Sequence, residues 1–160
     1  FWVCKRQPGM VAEALECLGG GGYVEESVMP RLFRQSPLNG VWEGSGNVIG
    51  LDMLRAMRRS PESAEAFVEE LRLAAGADRR FDAAVDDLVS RLAGDVGEGD
   101  VRSVAGEMAV LLQASLLLRH APGFVSDAYV TSRIAEPAPV YGILPDGVDA
   151  AGIVERALPA

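Results

Sequence analysis

The sequence predicts an all-α fold, a helical bundle of about six helices, on three observations. Aromatic residues are few while Ala, Leu, Val and Gly are many, which favours helices packed through small and aliphatic side chains over a β-sandwich. Apolar residues recur every three or four positions in one segment after another, the period of a half-buried helix. No stretch alternates apolar and polar residues convincingly enough for a strand. With 49% of 160 residues apolar, the chain suffices for one domain with a real core, and a second full domain is not expected.

The first helix is expected from Trp2 to Leu18, with Val3, Met10, Val11, Ala14, Leu15 and Leu18 as its apolar face. Pro8 restricts where it can start or bend. The run Gly19-Gly20-Gly21-Gly22 must end it, either as a plain C-cap and linker or as a place where another chain or a phosphate comes near. Tyr23 to Met29 is short and polar, and Pro30 to Arg34 makes about one helical turn before Ser36-Pro37 breaks it. Arg31 and Arg34 can share a face and bind an anion, although such arginines are more often salt-bridged at a surface.

From Gly44 to Met57 the apolar positions Val48, Leu51, Leu54 and Met57 step by three, with Asp52, Arg55 and Arg58 on other faces. Ser60-Pro61-Glu62 is a helix start: an N-cap candidate, a proline at N1 and an acid in the first turn. Phe67, Val68, Leu71 and Ala75 carry that helix to Gly76. Asp78 caps the next, whose stripe is Phe81, Val85, Leu88 and Leu92, ending at Gly94. The charges on this pair read as a solvated face. Asp95 to Asp100 is a loop.

Val101 to Leu118 is a long helix whose second half, Met108 to Leu118, is apolar almost all round. About three turns are too short to span a bilayer, so this half is expected to be the central, most buried part of the bundle. His120 closes the helix as a structural residue. Phe124 to Ile134 is a further helix, stopped by Glu136-Pro137-Ala138-Pro139, and Ala150 to Leu158 ends the chain with a helical turn or two.

The formal net charge is −8, which argues against a protein held to nucleic acid chiefly by phosphate neutralisation. Cys4 and Cys17 are too few for a disulfide framework, so a reducing, cytoplasmic compartment is the default. Neither a signal peptide nor a membrane span is expected. The opening Phe1-Trp2-Val3-Cys4 reads as a fragment of a longer protein. No Ser/His/Asp set, Cys/His set or metal-ligand spacing stands out, so no metal is expected.

Candidate chemistry concentrates in the first third. Val41-Trp42-Glu43-Gly44-Ser45-Gly46-Asn47 sets one carboxylate between an aromatic and a Gly/Ser-rich break at a helix entrance, where a ligand can approach the backbone closely. Glu43 can take a proton, beside groups able to hold a cofactor or an acyl chain.

Three segments together, Leu18-Gly19-Gly20-Gly21-Gly22-Tyr23, Pro30-Arg31-Leu32-Phe33-Arg34 and Trp42-Glu43-Gly44-Ser45-Gly46-Asn47, resemble the C-terminal helical domain of the acyl-CoA dehydrogenase superfamily in order and approximate spacing. The resemblance implies FAD as cofactor and an acyl-CoA thioester as substrate. It makes Glu43 the base that removes the α-proton while the β-hydrogen leaves as hydride to the flavin. It places Ser45 and Asn47 against the flavin, and the segment carrying Glu16, Gly19 and Gly20 near the flavin's adenosine-diphosphate portion across a subunit interface, in a homo-oligomer, a tetramer for the full-length form. The family often has glutamine where this chain has Glu16, and a carboxylate repels a pyrophosphate unless it turns away.

Trp42, Ser45-Gly46, Glu25-Glu26-Ser27 and the long extension past Met57 resemble more closely the AidB-like, alkylation-response branch. In that branch Trp42, Glu43, Asn47 and Arg55 line the substrate cavity, dehydrogenase activity is weak at most, and a basic C-terminal face serves DNA. Up to Arg55 this chain has five basic and six acidic residues; from Ala56 it has ten and seventeen, net −7. That sign suits phosphate poorly. The motifs lie within residues 1–58, and 59–160 match by helical layout. The family's upstream domains hold the rest of the flavin site, so the chain is not expected to catalyse alone.

Overall fold

The computed structural model describes residues 1–42 and 44–158. Among the described residues all regular structure is helical. They cluster into two compact units, Phe1–Arg55 with Gly97–Gly106, and Ala56–Val96 with Glu107–Ala160. Ten residues that the sequence placed in the extension therefore pack with the motif-bearing part.

The first unit opens with α1 (Trp2–Cys17), which accommodates Pro8 within its length. Its expected apolar face is largely open: no residue of α1 is fully buried, and Val3, Met10 and Leu18 are exposed. The glycine run does end α1, at the C-cap Leu18, but it is not a plain linker. Gly19 takes φ +56°, and Gly20–Tyr23 turn helical again as α2. Gly22 is the closely packed member, because a Cβ there would meet the Leu15 carbonyl oxygen at 2.3 Å. A helical turn can lie against the end of α1 only with glycine at that position.

Met29–Gln35 form α3, with Pro30 in its first turn, and Asn39–Trp42 form α4. The expected break at Ser36-Pro37 holds, and the buried Ser36 hydroxyl donates to the Phe33 carbonyl at 2.8 Å. Helix α5 runs Gly46–Arg59, and its buried positions are Gly46, Gly50 and Leu54, stepping by four. The expected stripe was wrong at Val48, which is exposed. The reason lies in the neighbour: the first turn of α8 (Val101–His120) comes so close that a Cβ at Gly50 would sit 2.9 Å from Val101 Cγ2. Close helix approach selects glycines for the buried face at its N-terminal end, where a hydrophobicity pattern looks for large residues, and leaves Leu54 buried as expected.

The second unit contains α6 (Pro61–Arg72), α7 (Arg79–Ala93), α9 (Gly123–Val130), a π-helical turn (Thr131–Ala135) and α10 (Ala150–Ala157). Pro61 stands at N1 of α6 after Ser60 as expected, although the Ser60 side chain makes no capping bond. Asp78 caps α7 by accepting from the Arg80 N–H at 2.8 Å. The core includes Leu71, Ala74, Phe81, Val85, Leu88, Leu111, Ala114, Ala128 and Val130. Ala74, not Ala75, is the buried alanine after α6.

Residues Met108 to Leu118 are less buried than the sequence suggested. Leu111 and Ala114 are in the core, Leu112, Leu117 and Leu118 are half-buried, and Leu116 is exposed. The stretch belongs to the long helix expected from Val101, which ends at His120, two residues beyond the expected Leu118. By length and composition alone, α8 is long and apolar enough to cross a membrane, a test that the core helix of a water-soluble protein also passes. Nor are the charges of α6 and α7 simply a solvated face: Arg119 of α8 pairs with Glu70, and Arg80 with Asp127.

Candidate functional site

The start of α5 carries Ser45 and Asn47, and Arg102 and Lys5 reach it from distant parts of the first unit. Glu43 lies outside the described residues. Gly44, beside it, has φ +110° and packs so that a Cβ would meet Ile49 Cγ1 at 3.1 Å, a conformation that favours glycine. Ser45 is exposed, and its carbonyl accepts from the Ile49 N–H at 3.0 Å, opening the helix. Trp42 is 70% exposed at the end of α4, with Nε1 donating to Asn39 Oδ1 at 3.3 Å. That bond fixes one edge of the indole and leaves the ring open.

Asn47 is exposed on the first turn of α5, and its Oδ1 accepts from Arg102 Nη1 at 3.4 Å. Arginine only donates, so the amide atom it meets is the oxygen, and Asn47 is left to offer a ligand its NH2. The Arg102 carbon Cζ also stands 6.0 Å from the centre of the Phe1 ring, at the limit of a cation–π contact. Lys5 comes to the same place: a Cβ on the buried Gly46 would meet its Cε at 2.4 Å and its Nζ at 3.2 Å. Sequence reasoning missed both cations. Arg102 is 55 residues from Asn47, and an arginine near the start of a helix carries no signal of what it will face.

Arg55 is exposed and its Nη1 is paired with Asp52 Oδ1, one helical turn back. Its charge is therefore locally offset. Arg34 donates to Glu25 through Nη1 and Nη2, at 2.7 and 3.1 Å, so the surface ion-pair reading holds for Arg34; that hydrogen bonding pulls the Glu25 carboxyl below its ordinary range. Glu16, Gly19 and Gly20 are exposed, and a Cβ at Gly19 or Gly20 would meet nothing within 4 Å. Glu25 and Arg34 also sit on a groove of about 610 Å³, lined as well by Leu15, Tyr23, Val24 and Phe33.

The donor set at the start of α5 fits a flavin: a hydroxyl, an amide NH2 and two cations suit electron-rich ring edges or phosphate oxygens. The open backbone at Gly19 and Gly20 fits a phosphate too, whereas the exposed Glu16 carboxylate beside it does not.

No protein-family model matches the chain. Two curated relatives do. Over 96 residues it is 49% identical to "Putative acyl-CoA dehydrogenase AidB" of Escherichia coli (strain K12), a match covering 58% of this chain and 17% of that protein. Over 55 residues it is 42% identical to "Acyl-CoA dehydrogenase family member 11" of Caenorhabditis elegans, covering 34% of this chain and 9% of that one. The chain thus spans less than a fifth of the length of these relatives. Together these matches support an AidB-like acyl-CoA dehydrogenase fragment.

Proposed function

We propose that this chain, an AidB-like acyl-CoA dehydrogenase fragment, serves as the C-terminal helical domain of an FAD-dependent enzyme that removes the α- and β-hydrogens of an acyl-CoA thioester. The reading is carried by one observation: Trp42-Glu43-Gly44-Ser45-Gly46-Asn47 stands in a chain whose two relatives bear acyl-CoA dehydrogenase names. Glu43 is the base that takes the α-proton. Ser45 and Asn47 hold the cofactor through the hydroxyl and the amide NH2, and Gly19 and Gly20 offer open backbone to its phosphates. Trp42 and Arg55 border the substrate. Bound FAD supplies the acceptor for the β-hydrogen.

The chain works within a cytoplasmic homo-oligomer, a tetramer, and does not turn over substrate alone. The exposed apolar side chains of the first unit, among them Val3, Met10, Leu18, Tyr23 and Phe33, support burial against another copy. The alternative, a non-catalytic flavoprotein that binds DNA, is disfavoured by the net −7 charge from Ala56 onward.

Anaerobic titration of the full-length protein with short and branched acyl-CoAs, following flavin bleaching, tests the proposal. Glu43→Gln should keep the flavin and lose the bleaching. Full activity in that variant sinks the assignment, and bound flavin that no acyl-CoA reduces favours the non-catalytic alternative.

A further inference from the structure

We infer that Arg102 is a positioning residue for Asn47: it grips the amide by its oxygen, so that the NH2 is the end presented to a ligand at the start of α5. The inference rests on the proposed flavin site and assigns it a residue from outside the motif. A free asparagine amide rotates almost two-fold about χ2, exchanging oxygen and nitrogen at little cost. A guanidinium at Oδ1, 3.4 Å away, removes that ambiguity because only one of the two orientations places an acceptor before it.

The rest of the unit makes Arg102 a fixed reference. It follows Val101, which is 3% exposed and packs so closely on Gly50 of α5 that a Cβ there would sit 2.9 Å from Val101 Cγ2. Asn47 and Gly50 are three residues apart on α5 and so share a face. The tight apolar contact thus sets the distance between the two helices, and the polar pair sits one turn away on the same side. The Phe1 ring, 6.0 Å from Arg102 Cζ, limits the guanidinium further.

The test is a double-mutant cycle on FAD affinity in the full-length protein, read by flavin fluorescence, with Arg102→Met, Asn47→Ala and the double variant. Arg102→Met should weaken FAD roughly three- to tenfold, and should add nothing further once Asn47 is alanine. Arg102→Lys should restore part of the affinity, since an ammonium can donate to the same oxygen. Equal weakening by Arg102→Met in both backgrounds, or none in either, overturns the inference. Thermal midpoints of the flavin-free variants identify a folding defect; if Arg102→Met unfolds, Arg102→Lys carries the cycle. A wild-type protein that binds no FAD removes the proposed function and this inference together, whereas bound FAD with an additive cycle removes only the role of Arg102.

Discussion

Arg80 Nη2 lies 2.6 Å from Asp127 Oδ1, so one guanidinium ties the first turn of α7 to α9. The same group donates to Asp78 Oδ2 at 2.6 Å and, through Nη1, to Thr131 Oγ1 at 2.8 Å. The N-cap of one helix, the body of a second and the π-helical turn after it therefore share one arginine.

Arg80→Ala should destabilise the second unit by about 1–2 kcal/mol. The side chain is 36% exposed and that of Asp127 65%, so solvent screening keeps the figure well below that of a buried pair. The midpoint of urea unfolding checks it, and Asp127→Ala should cost less, because the Asp78 and Thr131 contacts survive.

Acid should act through Asp78. The hydrogen bond from Arg80 holds its carboxyl below the usual aspartate range, so its stabilisation is complete above the unfolded value, about 3.9, and is lost as pH falls through the lower folded value. Stability measured from about pH 5 downward should fall less steeply in Asp78→Asn, which keeps an N-capping side chain. Arg80 is shifted upward and stays protonated, so it adds no slope near neutrality.

Neighbouring glycines should respond oppositely to alanine. Gly22→Ala puts a Cβ 2.3 Å from a backbone oxygen and should cost about 2–3 kcal/mol by forcing α2 off α1. Gly21→Ala meets nothing within 4 Å and should be neutral or stabilise by about 0.4–1 kcal/mol through the unfolded chain. Thermal midpoints of the two variants separate packing from backbone entropy.

Core and surface leucines two residues apart make a further contrast. Leu71 is fully buried and Leu73 is 62% exposed. Leu71→Ala should cost about 3–5 kcal/mol, whereas Leu73→Ala should stay within about 0.5 kcal/mol. Equal losses would mean that Leu73 is covered in solution, which a concentration-dependent midpoint would expose as association.

Local chemistry was legible wherever it is local. Asp78 as an N-cap, Pro61 at N1, the stop at Gly94, the break at Ser36-Pro37 and the final helix after Asp149 all follow from backbone preferences of a few adjacent residues. The stripe of α7, Phe81, Val85 and Leu88, was legible because a single wide apolar face meets a core of large side chains. The stripe of α5 was legible at Leu54 and not at Val48, since the contacts at its N-terminal end are made by Gly46 and Gly50, which no hydrophobicity pattern counts. The motif from Trp42 to Asn47 was visible as a run of residues, and the cations that meet it were not.

By itself the sequence determined the helical class, the order of the longer helices and most of their ends, because each depends on residues within a turn or two of one another. Tertiary structure alone decided that 97–106 join the motif-bearing unit, that Gly50 faces Val101 and that Arg102 reaches Asn47. Those pairings cross some fifty residues of chain, and their geometry is set by how closely two helices can approach, which is a property of both surfaces and of neither sequence segment alone.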